Sequence, residues 1–84
     1  MQPTVVLGVQ ITQRAEKSLA VQNTLTKFGC SIRTRLGLHE VSEDYCSHAG
    51  LILLELTGDA GEMLRLEEEL SRIPGVVVKK MTFD

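Results

Sequence analysis

The sequence predicts an α+β sandwich: a four-stranded antiparallel sheet with two helices packed on one of its faces. Three observations predict it. Four segments are apolar and rich in β-branched residues, with no helical period. Two segments between them repeat apolar residues at three- and four-residue spacing, the period of one helix face. The elements follow one another in the order β-α-β-β-α-β, all within 84 residues.

The first strand is "TVVLGVQI" (4–11), apolar enough to be buried on most sides. Thr12 is placed to cap a helix over 13–28, where Ser18, Val21, Leu25 and Phe28 share one face. Gly29 is expected to end that helix in a left-handed conformation, open to a residue without a Cβ. From Ile32 the pattern alternates, with Ile32, Leu36 and Leu38 on one face and Arg33, Arg35 and His39 on the other. That is a strand with one wet side, and its arginines are expected on the uncovered face of the sheet. A polar stretch at 42–48 precedes "AGLILLELTG", where Ile52, Leu54 and Leu56 have one parity and Leu51, Leu53 and Glu55 the other. These two strands are near enough to form a hairpin. Asp59 followed by Glu62 makes a capping-box start for the second helix, whose buried stripe is Met63, Leu66, Leu70 and Ile73. Glu68 and Arg72 form an i,i+4 pair on its outside. Pro74-Gly75 stops the helix, and "VVVKKMTF" is the last strand. No linker, repeat or low-complexity segment divides the chain, so 1–84 is read as one domain.

This order is the split βαβ, or ferredoxin-like, arrangement. Right-handed crossovers bring the first and third strands together in the middle and put both helices on one face. The opposite face then carries Val6, Gly8 and Gln10 beside Leu51 and Leu53. Apolar side chains in the centre of an uncovered sheet mark an association surface. A domain this small buries only about 60% of its unfolded surface, which adds a thermodynamic reason to associate. Val6, Gly8, Leu51 and Leu53 are therefore the expected interface of a homo-oligomer.

Composition excludes several functions. Net charge is −2 and the nine Lys and Arg are scattered, so no basic stripe exists to neutralise nucleic-acid phosphates. No run of about 18 apolar residues could span a membrane, and "MQPTVV" is not the start of a signal peptide. Two cysteines without disulfide-scaffold spacing suit the reducing cytoplasm. "DYCSHAG" (44–50) gathers Tyr45, Cys46 and His48, but two ligands with His39 as a conceivable third fall short of the four that zinc takes. No C-x-x-C pair supports redox work. Neither a metal nor another cofactor is expected, and the stretch reads as a hairpin tip.

"KFG" at 27–29, "TRLGL" at 34–38, "LILLEL" at 51–56 and above all "LEEELSRIPGVVVKK" at 66–80 resemble a family of small ACT-like proteins assigned as regulators of the iron-only hydrogenase system. Ile73, Pro74, Gly75, Val76, Val78 and Lys79 match that family's closing motif, while Glu68 and Glu69 stand where it carries Gly-Lys. The resemblance covers nearly the whole chain. It implies an ACT-like fold and a regulatory role. It also implies a small effector where the first strand meets the first helix, so Thr12, Gln13 and Arg14, together with Arg35, are the candidate effector residues. Backbone N–H groups at a helix start suit an anion. The same residues would otherwise only cap the helix and face solvent, and Arg35 would otherwise pair with Glu55 across the hairpin.

An enzyme is not expected. "GVQITQR" (8–14) is similar to the acylphosphatase phosphate loop, but Ile11 replaces the cradle glycine, the Gln-to-Arg spacing is one residue short, and the second strand lacks an asparagine to hold water. The sequence thus points to a non-catalytic regulatory or sensing module acting as a homo-oligomer, with a small molecule or protein as partner. The alternatives are an acylphosphatase-like hydrolase and a purely structural interaction domain. No helix-turn-helix remains for direct contact with DNA.

Overall fold

Among the described residues seven elements follow one another: β1 (Thr4–Ile11), α1 (Ala20–Lys27), a 3-10 turn (Gly29–Ser31), β2 (Ile32–Val41), β3 (Cys46–Leu56), α2 (Ala60–Ser71) and β4 (Val76–Phe83). The computed structural model describes residues 3–12, 19–41 and 46–84, with 38–41 and 46–49 described by backbone alone. The strands form one antiparallel sheet in the order β2-β3-β1-β4. Both central strands, β1 and β3, are those the element order predicts. The fold is ferredoxin-like, with two helices packed on the sheet.

The core lies between sheet and helices. Leu7, Val9 and Ile11 of β1 and Ile52, Leu54 and Leu56 of β3 point into it, as strand alternation requires. Val21, Leu25 and Phe28 meet them from the first helical segment, and Leu66 and Leu70 from α2, with Met63 and Ile73 packed at the margin. These are the two predicted helix stripes, apart from Ser18, which lies outside the described residues. Leu7, Leu54, Leu66 and Leu70 are wholly buried. Each such leucine contributes roughly 1.5–3 kcal/mol relative to exposure.

Local chemistry fixes the connections. Asp59 is the N-cap of α2, its Oδ2 accepting from the Glu62 N–H at 3.0 Å. After α2, Ile73-Pro74-Gly75-Val76 forms a turn closed by the Val76 N–H on the Ile73 carbonyl at 3.1 Å. Proline presets the first central position, and Gly75 takes the φ of +85° that the second requires. The Gly75 carbonyl then accepts from both the N–H (3.0 Å) and the hydroxyl (2.8 Å) of Thr12, tying the end of β1 to the start of β4.

The Thr12 hydroxyl donates to the Gly75 carbonyl, and the predicted helix start over 13–18 lies outside the described residues; the helix described starts at Ala20, with Leu19 at its cap position and no side-chain cap. Three expectations need correction. Gly29 is not left-handed, because the helix tightens into the 3-10 turn; the positive-φ glycines are Gly58 and Gly75. Glu68 and Arg72 do not pair. Instead Glu67 takes Lys80 at 3.0 Å and Glu69 takes Lys27 at 2.8 Å, so the acids of α2 reach to β4 and α1. Finally, the hairpin is longer than predicted. Val41 pairs with Cys46, so 46–48 belong to β3 and not to a polar tip. β1 ends opposite Gly50, and β3 runs on beyond it, which helps stretch the molecule to 46 Å along its long axis.

The strand β2 departs furthest from its sequence pattern. Ile32 pairs with Leu56 but Thr34 with Glu55, two steps on β2 against one on β3. Arg33 is the extra residue of a β-bulge, and a one-residue slip turns every later side chain to the opposite face. Leu36 therefore leaves the core side for the uncovered face. Arg35, expected on the uncovered face, turns toward the helices, where its Nη2 donates to Gln22 Oε1 on α1 at 3.2 Å. Glu55 is met instead by the hydroxyl of Thr34 at 3.0 Å and by Arg33 at 3.9 Å.

Candidate functional site

Strand register lays out the uncovered face row by row. Leu36, Leu53, Gly8 and Lys79 cross it from β2 to β4 in one row. Thr34, Glu55, Val6 and Met81 make the row on one side of it, and Leu51, Gln10 and Val77 lie in the row on the other. Phe83 extends it past Met81, paired with Thr4. The four predicted interface residues, Val6, Gly8, Leu51 and Leu53, thus share the centre of one surface. They are half-buried by their neighbours.

Around them the structure adds residues that sequence reading missed. Of the six large apolar side chains left exposed among the described residues, four lie on this face: Leu36, Val77, Met81 and Phe83, each about half accessible. A single exposed leucine needs no explanation, but a contiguous apolar sheet face does. The signal for the β4 residues was available, since Val77, Met81 and Phe83 have the parity opposite to the core residues Val76 and Val78. Leu36 was hidden by the bulge. Among the described residues the face carries charge only at Lys79 and at the Arg33–Glu55 pair.

Of the candidate effector residues, the two that are described, Thr12 and Arg35, are not brought together. Thr12 lies at the end of β1 with its hydroxyl on Gly75. Arg35 is in the row of Leu54 and Leu7, two strands across and five residues back. At about 4.8 Å per strand and 3.4 Å per residue, it is roughly 20 Å from Thr12. Gln13 and Arg14 lie outside the described residues. Ile11, where the acylphosphatase pattern needs a loop glycine, is a buried strand residue paired with Gly50 and Val76.

Cys30, in the 3-10 turn, is exposed and unbridged. Cys46 lies at the other end of the β2–β3 hairpin, roughly 30 Å away by strand rise, far beyond disulfide reach. Among the described residues no three His, Cys, Asp or Glu side chains gather as for a metal ion. A shallow groove of about 400 Å³ runs along the helical layer, lined by Lys27, Arg65 and Arg72 and by Glu62, Glu68 and Glu69. Its charges balance, with Lys27 on Glu69 and Arg65 on Glu62. Among the described residues no helix is long and apolar enough to cross a membrane.

Fold and face together define a ferredoxin-like domain whose sheet keeps one apolar face open. Its solved likenesses bear out that fold. An uncharacterized protein of Thermotoga maritima, TM1266, superposes with a TM-score of 0.74 at 24% identity, covering 99% of this chain and 98% of that one. The ACT domain of the GTP pyrophosphokinase of Chlorobium tepidum gives 0.59 at 16% identity, over 95% and 97%. CPII, a nitrogen regulatory PII-like protein of Thiomonas intermedia bound to ADP, AMP and bicarbonate, gives 0.50 at 15% identity, over 98% and 93%. No family model and no curated protein matches the sequence.

Proposed function

We propose that this chain is a non-catalytic regulatory module that works as a homo-oligomer, joined through its uncovered sheet face. One observation carries the reading: the row of Leu36, Leu53 and Gly8, flanked by Val6, Leu51, Val77 and Met81, is apolar where an unpartnered sheet should be wet. Strands of eight residues and a width of four strands give a face of about 19 by 27 Å, or about 500 Å². Two such faces total about 1,000 Å², the lower bound for a specific protein interface. A second copy of this chain offers the matching apolar area. The edges are poorer joints, since β2 is broken by register shifts and β4 carries Lys79 and Lys80.

Regulation is supported by the solved likenesses, an ACT domain of a nucleotide-metabolising enzyme and a nitrogen regulatory protein. The sequence resemblance extends the reading to control of the iron-only hydrogenase system in the cytoplasm, with a small effector bound near Thr12, Gln13 and Arg14. Arg35, engaged with Gln22 far from Thr12, is better suited to hold α1 against β2 than to that site. Ile11, a buried β1 residue paired with strands on both sides, weighs against an acylphosphatase cradle; acyl-phosphate turnover abolished by Arg14→Ala would reverse the non-catalytic reading.

The experiment is sedimentation of the wild type and of Leu53→Glu. Wild type is expected as a dimer or higher at micromolar concentration. Leu53→Glu, which puts an unpaired charge into the contact, is expected as a folded monomer. A wild type still monomeric at several hundred micromolar would contradict the proposal.

A further inference from the structure

We propose that Gly8 is a recognition notch at the centre of the self-association face, filled by Leu53 of a second copy whose own Gly8 receives Leu53 of the first. This rests on the homo-oligomer reading and goes beyond it, because it fixes how the two faces meet.

Glycine in the middle of a central strand weakens the strand and needs a reason: a bulge, a special backbone angle, or close approach of another group. The first two are absent at Gly8. Its register runs unbroken on both sides, to Leu53 on β3 and Lys79 on β4. Its φ is not positive. Close approach within the chain is also absent: a Cβ there would find its nearest neighbours, Leu53 Cδ2 and the Lys79 carbonyl oxygen, at 3.9 Å and Leu51 Cδ1 at 4.0 Å, ordinary van der Waals contact. Nothing in the fold requires the missing side chain. The remaining reason is close approach by something outside the chain, and the open side of Gly8 is the apolar face.

Register then supplies the occupant. Gly8 and Leu53 are direct partners on the two central strands. A two-fold axis parallel to the strands and midway between them exchanges β1 with β3 and keeps each row. It lays Leu53 of one copy over Gly8 of the other and repeats the contact by symmetry, as an isologous interface demands. Sheets packed face to face stand about 10 Å apart, room for a leucine against a bare backbone. The same axis brings Glu55 of the second copy to within one strand and one row of Lys79, placing opposite charges at the rim.

The test uses Gly8→Ala, Gly8→Val and Leu53→Ala in the full chain, with dimer dissociation constants from sedimentation equilibrium. Overpacking a closed contact is expected to raise the constant by about 100-fold for Gly8→Val and about tenfold for Gly8→Ala. Melting temperatures, taken where every variant is monomeric, should stay equal or rise. Mixing Gly8→Val with Leu53→Ala chains should yield a heterodimer tighter than the Gly8→Val homodimer, because the one filled notch then faces a shortened side chain while the other contact is that of the wild type. If both Gly8 variants dimerise like wild type while Leu53→Glu does not, the face stands and the notch is overturned. If Gly8→Ala lowers the monomer's melting temperature by about 5 °C or more, the glycine serves the fold and the inference also fails. A monomeric wild type would remove the homo-oligomer reading itself, and the notch with it.

Discussion

Leu53 and Leu54 are consecutive in β3 and identical in chemistry, yet they belong to different problems. Leu54 is wholly buried under the helices among Leu7, Leu66 and Leu70. Leu53 lies in the row of Leu36, Gly8 and Lys79, and no helix covers it. The covered face is committed to the chain's own helices, with Lys80 and Lys27 clipping β4 and α1 to α2 through Glu67 and Glu69. The other face has the same alternation and comparable apolarity but nothing among the described residues to bury it. One sheet thus serves folding with one side and, in the proposed reading, association with the other, and neighbouring substitutions should separate the two.

The largest effect is expected at Leu54. Leu54→Ala should cost about 2–5 kcal/mol from lost burial and a residual cavity. For 84 residues the whole stability is about 4–13 kcal/mol, so the loss is a large fraction of it and should appear as a marked fall in the urea midpoint. Urea unfolding of Leu53→Ala, at a concentration where it is monomeric, should fall within about 1 kcal/mol of wild type. Equal losses at the two positions would abolish the distinction between faces.

An intermediate effect is expected where the covered layer is tied down. Asp59→Ala removes the α2 cap and should cost about 1 kcal/mol without changing the association state. Thr12→Val leaves the Gly75 carbonyl with one donor fewer and should cost about 0.5–1.5 kcal/mol, read by the urea midpoint.

The smallest effect sharpens the comparison most. Lys79 and Lys80 are also consecutive and point to opposite faces. Lys80→Ala breaks an exposed pair with Glu67 and should cost only about 0.2–1 kcal/mol of stability, less at high salt. Lys79→Glu should leave stability unchanged and weaken self-association, with the difference shrinking as salt rises.

Sequence reading reached the architecture because it depends on coarse features: element order, two helix stripes and the parity of β1 and β3. It reached Val6, Gly8, Leu51 and Leu53 for the same reason. It misplaced Leu36 and Arg35 because a single inserted residue, Arg33, reverses parity, and nothing in "SIRTRLGL" announces a bulge. It read Thr12 as a cap from residue type alone and did not foresee the tertiary contact that its hydroxyl makes with the Gly75 carbonyl. The tip "DYCSHAG" was read as loop from its polarity, whereas the backbone pairing of Val41 with Cys46 carries the strands into it.

The central claim is that the uncovered sheet face is a contact between copies of this chain. Sedimentation equilibrium of the wild type beside Leu53→Glu, across micromolar to several hundred micromolar protein, tests it most directly. The account predicts a wild type that is dimeric or larger and a Leu53→Glu chain that is folded and monomeric throughout. A wild type that sediments as a monomer over the whole range, or an assembly that Leu53→Glu leaves intact, would contradict it.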